Sequence, residues 1–213
     1  MASGIKDITS TFVGRIIGAC IAIFIQSCLA WFLLPEGRGS YAVCLIYSTL
    51  LTMTFSFGSD TAFIYFLASK RINISESITY SFLIGSIISI AAVFTGLAIL
   101  QLPLSFTSKA TSGDFLLALV YCPVLLFANI YIQLLTSLGQ FYTFGFFIVL
   151  RELNRLILIL MFVVWFSLGV KGALLASIIS DSVLIFIMLG FYRLRYRIKL
   201  VRPKLIHIKE ILS

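Results

Sequence analysis

Charge is what this sequence has least of. Asp, Glu, Lys and Arg together make up 11% of its residues against 61% hydrophobic ones, and the mean hydropathy is +1.11. So little polar surface cannot cover a water-exposed globule, which excludes the ordinary soluble classes. Histidine occurs once, at His207, and the four cysteines (Cys20, Cys28, Cys44, Cys122) all fall inside apolar stretches without metal-ligand spacing. Neither a metal centre nor a disulfide framework is expected, and the thiols read as free and buried. The chain also has no Gly-x-x-x-x-Gly-Lys loop to cradle a phosphate and no Ser/His/Asp set, so no cofactor and no enzymatic activity are expected.

What is present in quantity is long apolar runs. A helix needs about 20 apolar residues to cross the hydrocarbon core, so six crossings with short connections use nearly all 213 residues and leave no room for a soluble domain. The expected fold class is all-α, a polytopic bundle of about six transmembrane helices. Its spans run near residues 12–34, 41–68, 78–100, 115–138, 141–168 and 173–192. The breaks are a Pro35-Glu36-Gly37-Arg38-Gly39-Ser40 turn, the polar Lys70, Arg71 and Asn73, a Ser/Thr-rich stretch from Pro103 to Asp114, the pair Gly139-Gln140, and residues 169–172. The first run has no small-residue processing site and reads as a retained span rather than a signal peptide. Ile17-Gly18-Ala19-Cys20 faintly suggests a lipidation site, but the run before it is short and contains Arg15.

The net charge of +8 is placed as a membrane surface would have it. Seven of the sixteen Lys and Arg residues fall between Arg193 and Lys209, directly after the last span, where anionic headgroups meet them. No nucleic-acid partner is expected. Lys6, Arg15, Lys70, Arg71 and those seven lie on one side, eleven cations against Arg38, Lys109 and Lys171 on the other. The positive-inside rule puts both termini in the cytoplasm. Residues 1–192 then form a six-helix lobe and 193–213 a basic cytoplasmic tail or linker.

Polar groups at membrane depth are the candidate site, because they face a bundle interior or a wet cavity. Ser48, Thr49, Thr52, Ser56, Ser59 and Asp60 fall within about 120° of one helix face. Asp60, about 15 Å of helix before Lys70, is read either as packing glue or as a cavity-lining group that binds substrate or couples to protons. Asp181 is equally deep and reads as helix packing. Arg151 and Arg155, one turn apart in the fifth helix, either hold a phosphate bidentately or snorkel, with Glu152 offsetting Arg155. Arg15 points into the same vestibule or snorkels. Asn129 and Gln133 share a face beside Pro123, for interhelical bonds or for substrate. Gly14-x-x-x-Gly18 permits close helix approach.

Several junctions resemble one family. Leu34-Pro35-Glu36-Gly37-Arg38-Gly39-Ser40-Tyr41-Ala42 is similar to its first periplasmic turn, and Gly58-Ser59-Asp60-Thr61-Ala62 through Ala68-Ser69-Lys70 to its second-helix ending. Leu138-Gly139-Gln140-Phe141 leading to Arg151, and Gly169-Val170-Lys171-Gly172-Ala173-Leu174-Leu175-Ala176, resemble its next junctions in order. The family is the lipid-linked oligosaccharide flippases of bacterial polysaccharide export, in the superfamily that includes the multidrug and toxin extruders. The resemblance implies a V-shaped transporter of two six-helix lobes in the bacterial inner membrane. It would move an undecaprenyl-diphosphate-linked glycan outward through a cationic cavity for surface polysaccharide or O-antigen assembly. On that reading Arg15, Arg151 and Arg155 meet the diphosphate near the cytoplasmic mouth and Asp60 lines the cavity, and these four with Asn129 and Gln133 are the expected substrate contacts. Such flippases carry twelve or more helices, so this chain matches the N-terminal lobe, with a second lobe or a second copy as partner. A cation-coupled multidrug exporter, with Asp60 as its coupling site, and a non-transporting membrane scaffold are the competing readings.

The topology is directly testable. Alkaline phosphatase fused after Lys171 should be active, and fused after Lys70 or at the C-terminus inactive; the reverse pattern would overturn the orientation.

Overall fold

The structure, a computed structural model, describes residues 2–56, 65, 67, 74–101 and 111–196. They form six α-helices: α1 (Ala2–Phe32), α2 (Leu34–Ser56), α3 (Ile74–Leu100), α4 (Ser112–Ser137), α5 (Phe141–Ile159) and α6 (Gly169–Tyr196). No strand occurs among the described residues. Five of the helices are long and apolar enough to cross a membrane. The exception is α5, which is 19 residues long, carries Arg151, Glu152 and Arg155, and runs on into a π-helical segment, Leu160–Trp165. The fold is therefore a polytopic helical bundle.

Helix ends depart from sequence expectation in two places: residues 169–172, expected as a break, open α6, with the break falling instead just after Trp165, and the other departure lies nearer the N-terminus. The Pro- and Gly-containing stretch 35–40 is helical, forming the first turns of α2. The chain reverses instead at Leu33 and Leu34, where Leu34 adopts a φ of 57°. Proline is well suited to the position that follows, since it lacks the N–H that a first helical turn leaves unsatisfied. Pro123, in turn, leaves α4 continuous. The last residues of the expected second span, Asp60 among them, lie outside the described residues.

Apolar side chains point outward as well as inward, as lipid requires. On α3, Ile87, Ile90 and Phe94 are exposed, at the three- and four-residue spacing of one helix face. The interior is held by small residues and hydroxyls. α4 is central, packing on α2, α3, α5 and α6. Ser48 Oγ donates to the Ala118 carbonyl at 2.7 Å, Thr52 Oγ1 approaches Cys122 Sγ at 3.3 Å, and Tyr47 donates to the Gly96 carbonyl at 2.6 Å. Ser48 and Thr52 of the polar face of α2 thus bond helix to helix, which apolar packing alone does not supply in lipid, while Thr49 and Ser56 donate within α2 itself.

α1 packs chiefly along α5, through the two glycines of the Gly14-x-x-x-Gly18 spacing. A Cβ on Gly14 would lie 2.6 Å from Gly145 Cα, and one on Gly18 2.8 Å from Ile148 Cγ2. Backbone meets backbone at the first of these, so nothing there can move aside. Gly14→Leu should therefore lower stability by about 1–3 kcal/mol, read as an earlier melting transition in detergent. Gly39→Ala, where nothing lies within 4 Å, should leave the transition in place; equal melting of both variants would remove the proposed contact.

Candidate functional site

α5 is amphipathic inside out. Phe146, Leu153 and Ile157 are exposed on one side, while Arg151 and Arg155 turn to the interior, 15% and 18% exposed. One helical turn separates the two arginines, so both reach the same point on the facing helices.

That point is Asp181, in the middle of α6 and wholly buried. Twelve residues separate it from Gly169 and fifteen from Tyr196, or roughly 18 Å and 22 Å of helix. Arg151 grips it as a fork, Nε to Oδ1 at 2.8 Å and Nη2 to Oδ2 at 2.7 Å. Arg155 Nη2 adds a bond to Oδ1 at 3.2 Å, and the Tyr121 hydroxyl of α4 donates to Oδ2 at 3.0 Å. A carboxylate can be held in a low-dielectric interior only with such paired, charge-assisted bonds. Asn154 Nδ2, 3.4 Å from the Ser180 carbonyl, and Ser180 Oγ, donating to the Arg151 carbonyl at 3.1 Å, brace α5 against α6 beside it.

Beside the cluster opens a cleft of about 220 Å³, walled by α1, α2, α4, α5 and α6 and lined among others by Gln26, Tyr41, Thr49, Arg151, Glu152 and Arg155. Asp181 is behind this wall. Glu152 is in front of it, 15% exposed, with both carboxylate oxygens 3.4 Å from Arg155 Nη1. That distance is at the outer margin of a hydrogen bond, in contrast to the tight fork on Asp181. Arg155 Nε is buried and has no partner. Gln26 also lines a second hollow, of about 400 Å³, with Ser27 and Arg38.

Of the residues expected from sequence, Arg151 and Arg155 meet at one place. Asn129 joins them, its Oδ1 accepting from Arg151 Nη1 at 3.4 Å, and so acts as an interhelical contact. Gln133 is one turn further along α4, where its carbonyl accepts the Thr136 hydroxyl at 2.6 Å. Arg15 is exposed and stacks its guanidinium over Phe144, 5.5 Å from the ring centroid, rather than lining the cleft. Phe144 precedes Arg151 by seven residues, about 10 Å along the axis, which keeps Arg15 away from the pair. Asp60 lies outside the described residues. Sequence reading assigned no site role to Tyr121, Tyr41 or Asp181. The available signal was depth: Asp181 and Arg155 each lie near mid-helix, and an unpaired charge there demands a partner.

No protein-family model matches the chain, and no curated protein does. Solved structures do match. A MATE protein in complex with Br-NRF superposes with a TM-score of 0.71 at 17% identity, covering 97% of this chain and 51% of that one. The chain shares its fold over about half its length. A multidrug resistance MATE family transporter of the MOP superfamily, in an outward-facing conformation, gives a TM-score of 0.67 at 18% identity, over 94% of this chain and 47% of that one. A MOP superfamily transporter from Pyrococcus furiosus, for which reversed polarity of the binding pocket is taken to suggest a different function, gives 0.65 at 19% identity, over 97% and 49%. The six-helix bundle is thus a MATE-type fold, and this chain spans about half the length of the structures it matches.

Asp181→Ala should leave two guanidiniums buried without their shared counter-ion and cost about 3–5 kcal/mol, seen as a large drop in melting temperature in detergent. Combining Asp181→Leu with Arg151→Met should recover much of that loss, because the unmatched charge goes too. If Asp181→Ala melts like the parent, the cluster does not hold the helices together.

Proposed function

We propose that this chain is one six-helix lobe of an alternating-access membrane transporter that exports an amphipathic organic solute, and that the cleft beside Arg155 is the solute contact in this lobe. The observation that carries this reading is the cleft itself: opposed charges of α5 reach a hollow at membrane depth in a bundle whose fold is that of MATE transporters. Such groups are expensive in lipid and mark solute or ion pathways. At about 220 Å³ the cleft is below the ~300–1,000 Å³ of a complete small-molecule site, in keeping with one wall of a cavity that a second lobe or a second copy would complete.

Between the two transported classes, the exporter reading has the better support. Holding a diphosphate requires guanidinium edges that are free to take oxygen ligands. Arg151 has Nε and Nη2 on Asp181 and Nη1 on Asn129, so a phosphate held by both arginines would have to displace a buried carboxylate. The flippase reading, with an undecaprenyl-diphosphate-linked oligosaccharide as substrate in the bacterial inner membrane, draws on the convergence of Arg151 and Arg155 and on the basic tail. In the exporter reading Asp60 is the coupling carboxylate. If polar-face substitutions left every flux unchanged, the scaffold reading would stand instead.

In proteoliposomes holding the full chain, a proton or sodium gradient should drive efflux of an amphipathic dye without net charge, such as zwitterionic rhodamine B. Replacing both Glu152 and Arg155 by Gln, which leaves the net charge unaltered, should reduce that efflux by about tenfold or more. Restored glycan-lipid translocation in a flippase-deficient strain, without dye flux, would favour the flippase. Unaltered dye flux in the double variant would remove the cleft from the pathway.

A further inference from the structure

The cleft is electrically balanced. Two guanidiniums, Arg151 and Arg155, face two carboxylates, Asp181 and Glu152, in one bonded group. A ligand carrying a net charge would leave the low-dielectric interior unbalanced by one unit, which is costly at this depth. A ligand with one positive and one negative group adds no net charge. We propose that the cleft recognises a zwitterionic head group, its anionic end on Arg155 and its cationic end on Glu152. This rests on reading the cleft as a solute contact and goes further in naming the chemistry of the solute.

Three observations set that orientation. The Arg151–Asp181 fork is tight, at 2.7 and 2.8 Å, and its carboxylate is fully buried, so this half of the group is closed to a ligand. The Arg155–Glu152 pair is loose, at 3.4 Å to each oxygen, and both side chains line the cleft. Arg155 Nε is buried with its donor unused, and an acceptor oxygen from a ligand would satisfy it. A head group inserted between the two side chains replaces one stretched pair with two close ones. Nothing else in the network has to break. Gln26 and Thr49, also on the lining, offer neutral polar contacts that do not alter the balance. Electrostatic complementarity of this kind selects among ligands more than it raises affinity for any one of them.

The test uses three short probes of matched size on the full chain in a non-ionic detergent, with binding followed by calorimetry. The probes are the zwitterion dimethyl(propyl)ammonio-propanesulfonate, the cation dimethyl(propyl)(3-methylsulfonylpropyl)ammonium, in which a methyl sulfone replaces the sulfonate, and the anion 4,4-dimethylheptane-1-sulfonate, in which carbon replaces the ammonium nitrogen. The parent protein should bind the zwitterion about tenfold more tightly than either singly charged probe. Glu152→Gln leaves one excess positive charge and should move the preference to the anion; Arg155→Gln leaves one excess negative charge and should move it to the cation. Lys171→Gln, at an exposed position away from the cleft, should keep the parent ranking. Parent binding of the cation or the anion as tightly as the zwitterion would overturn the zwitterion assignment while leaving the cleft as a solute site. Failure of all three probes to bind would overturn both. The parent ranking decides the matter even if a variant fails to fold.

Discussion

A carboxylate held fully buried halfway along a membrane helix has to be surrounded, and the surroundings of Asp181 come from two other helices. The fork from Arg151 and the hydroxyl from Tyr121 reach it only in one register of α4, α5 and α6. Sliding any of them by a residue would swing its polar group through roughly 100° and strand a charge in hydrocarbon. Apolar packing does not enforce register so strictly, because a lipid chain is as good a neighbour for leucine as another leucine is.

The cluster also divides the interior. On one side, Cys122, Ile159 and Ala173 belong to one apolar group with Leu29 and Tyr41; on the other, Leu126, Phe147 and Leu184 belong to a second with Tyr80 and Tyr192. Between the two layers the charges occupy a polar stratum, and the cleft opens where that stratum meets α1 and α2. The depth of the cleft in the bundle is therefore a consequence of where Asp181 is held. Glycine contacts at Gly14 and Gly18 bring α1 close enough to α5 to form a wall of the cleft.

The site was only partly legible in the sequence. Arg151 and Arg155 were visible because an i, i+4 pair of arginines in an apolar run has few explanations. Asp181 was visible as a deep carboxylate, but no one-dimensional pattern says which of several deep charges meet, since the partners are 26 and 30 residues apart. Arg15 shared the same uncertainty with the opposite outcome: a cation early in an apolar run, yet its guanidinium lies over Phe144. The stretch 35–40 misled for a local reason. Its proline and glycines mark a turn in most settings, but here they occupy the opening turns of a helix whose reversal is made by Leu33 and Leu34.

Hydropathy, by itself, determined that this chain is a helical membrane bundle. In lipid every backbone N–H and C=O must be satisfied within its own segment, so a run of apolar residues of sufficient length has little choice but to be a helix. Which helix faces touch was decided only by the tertiary structure. That depends on the relative rotation of separate helices about their axes, a quantity set by small-residue contacts and by the pairing of a few buried charges. Neither is encoded in any single stretch of sequence.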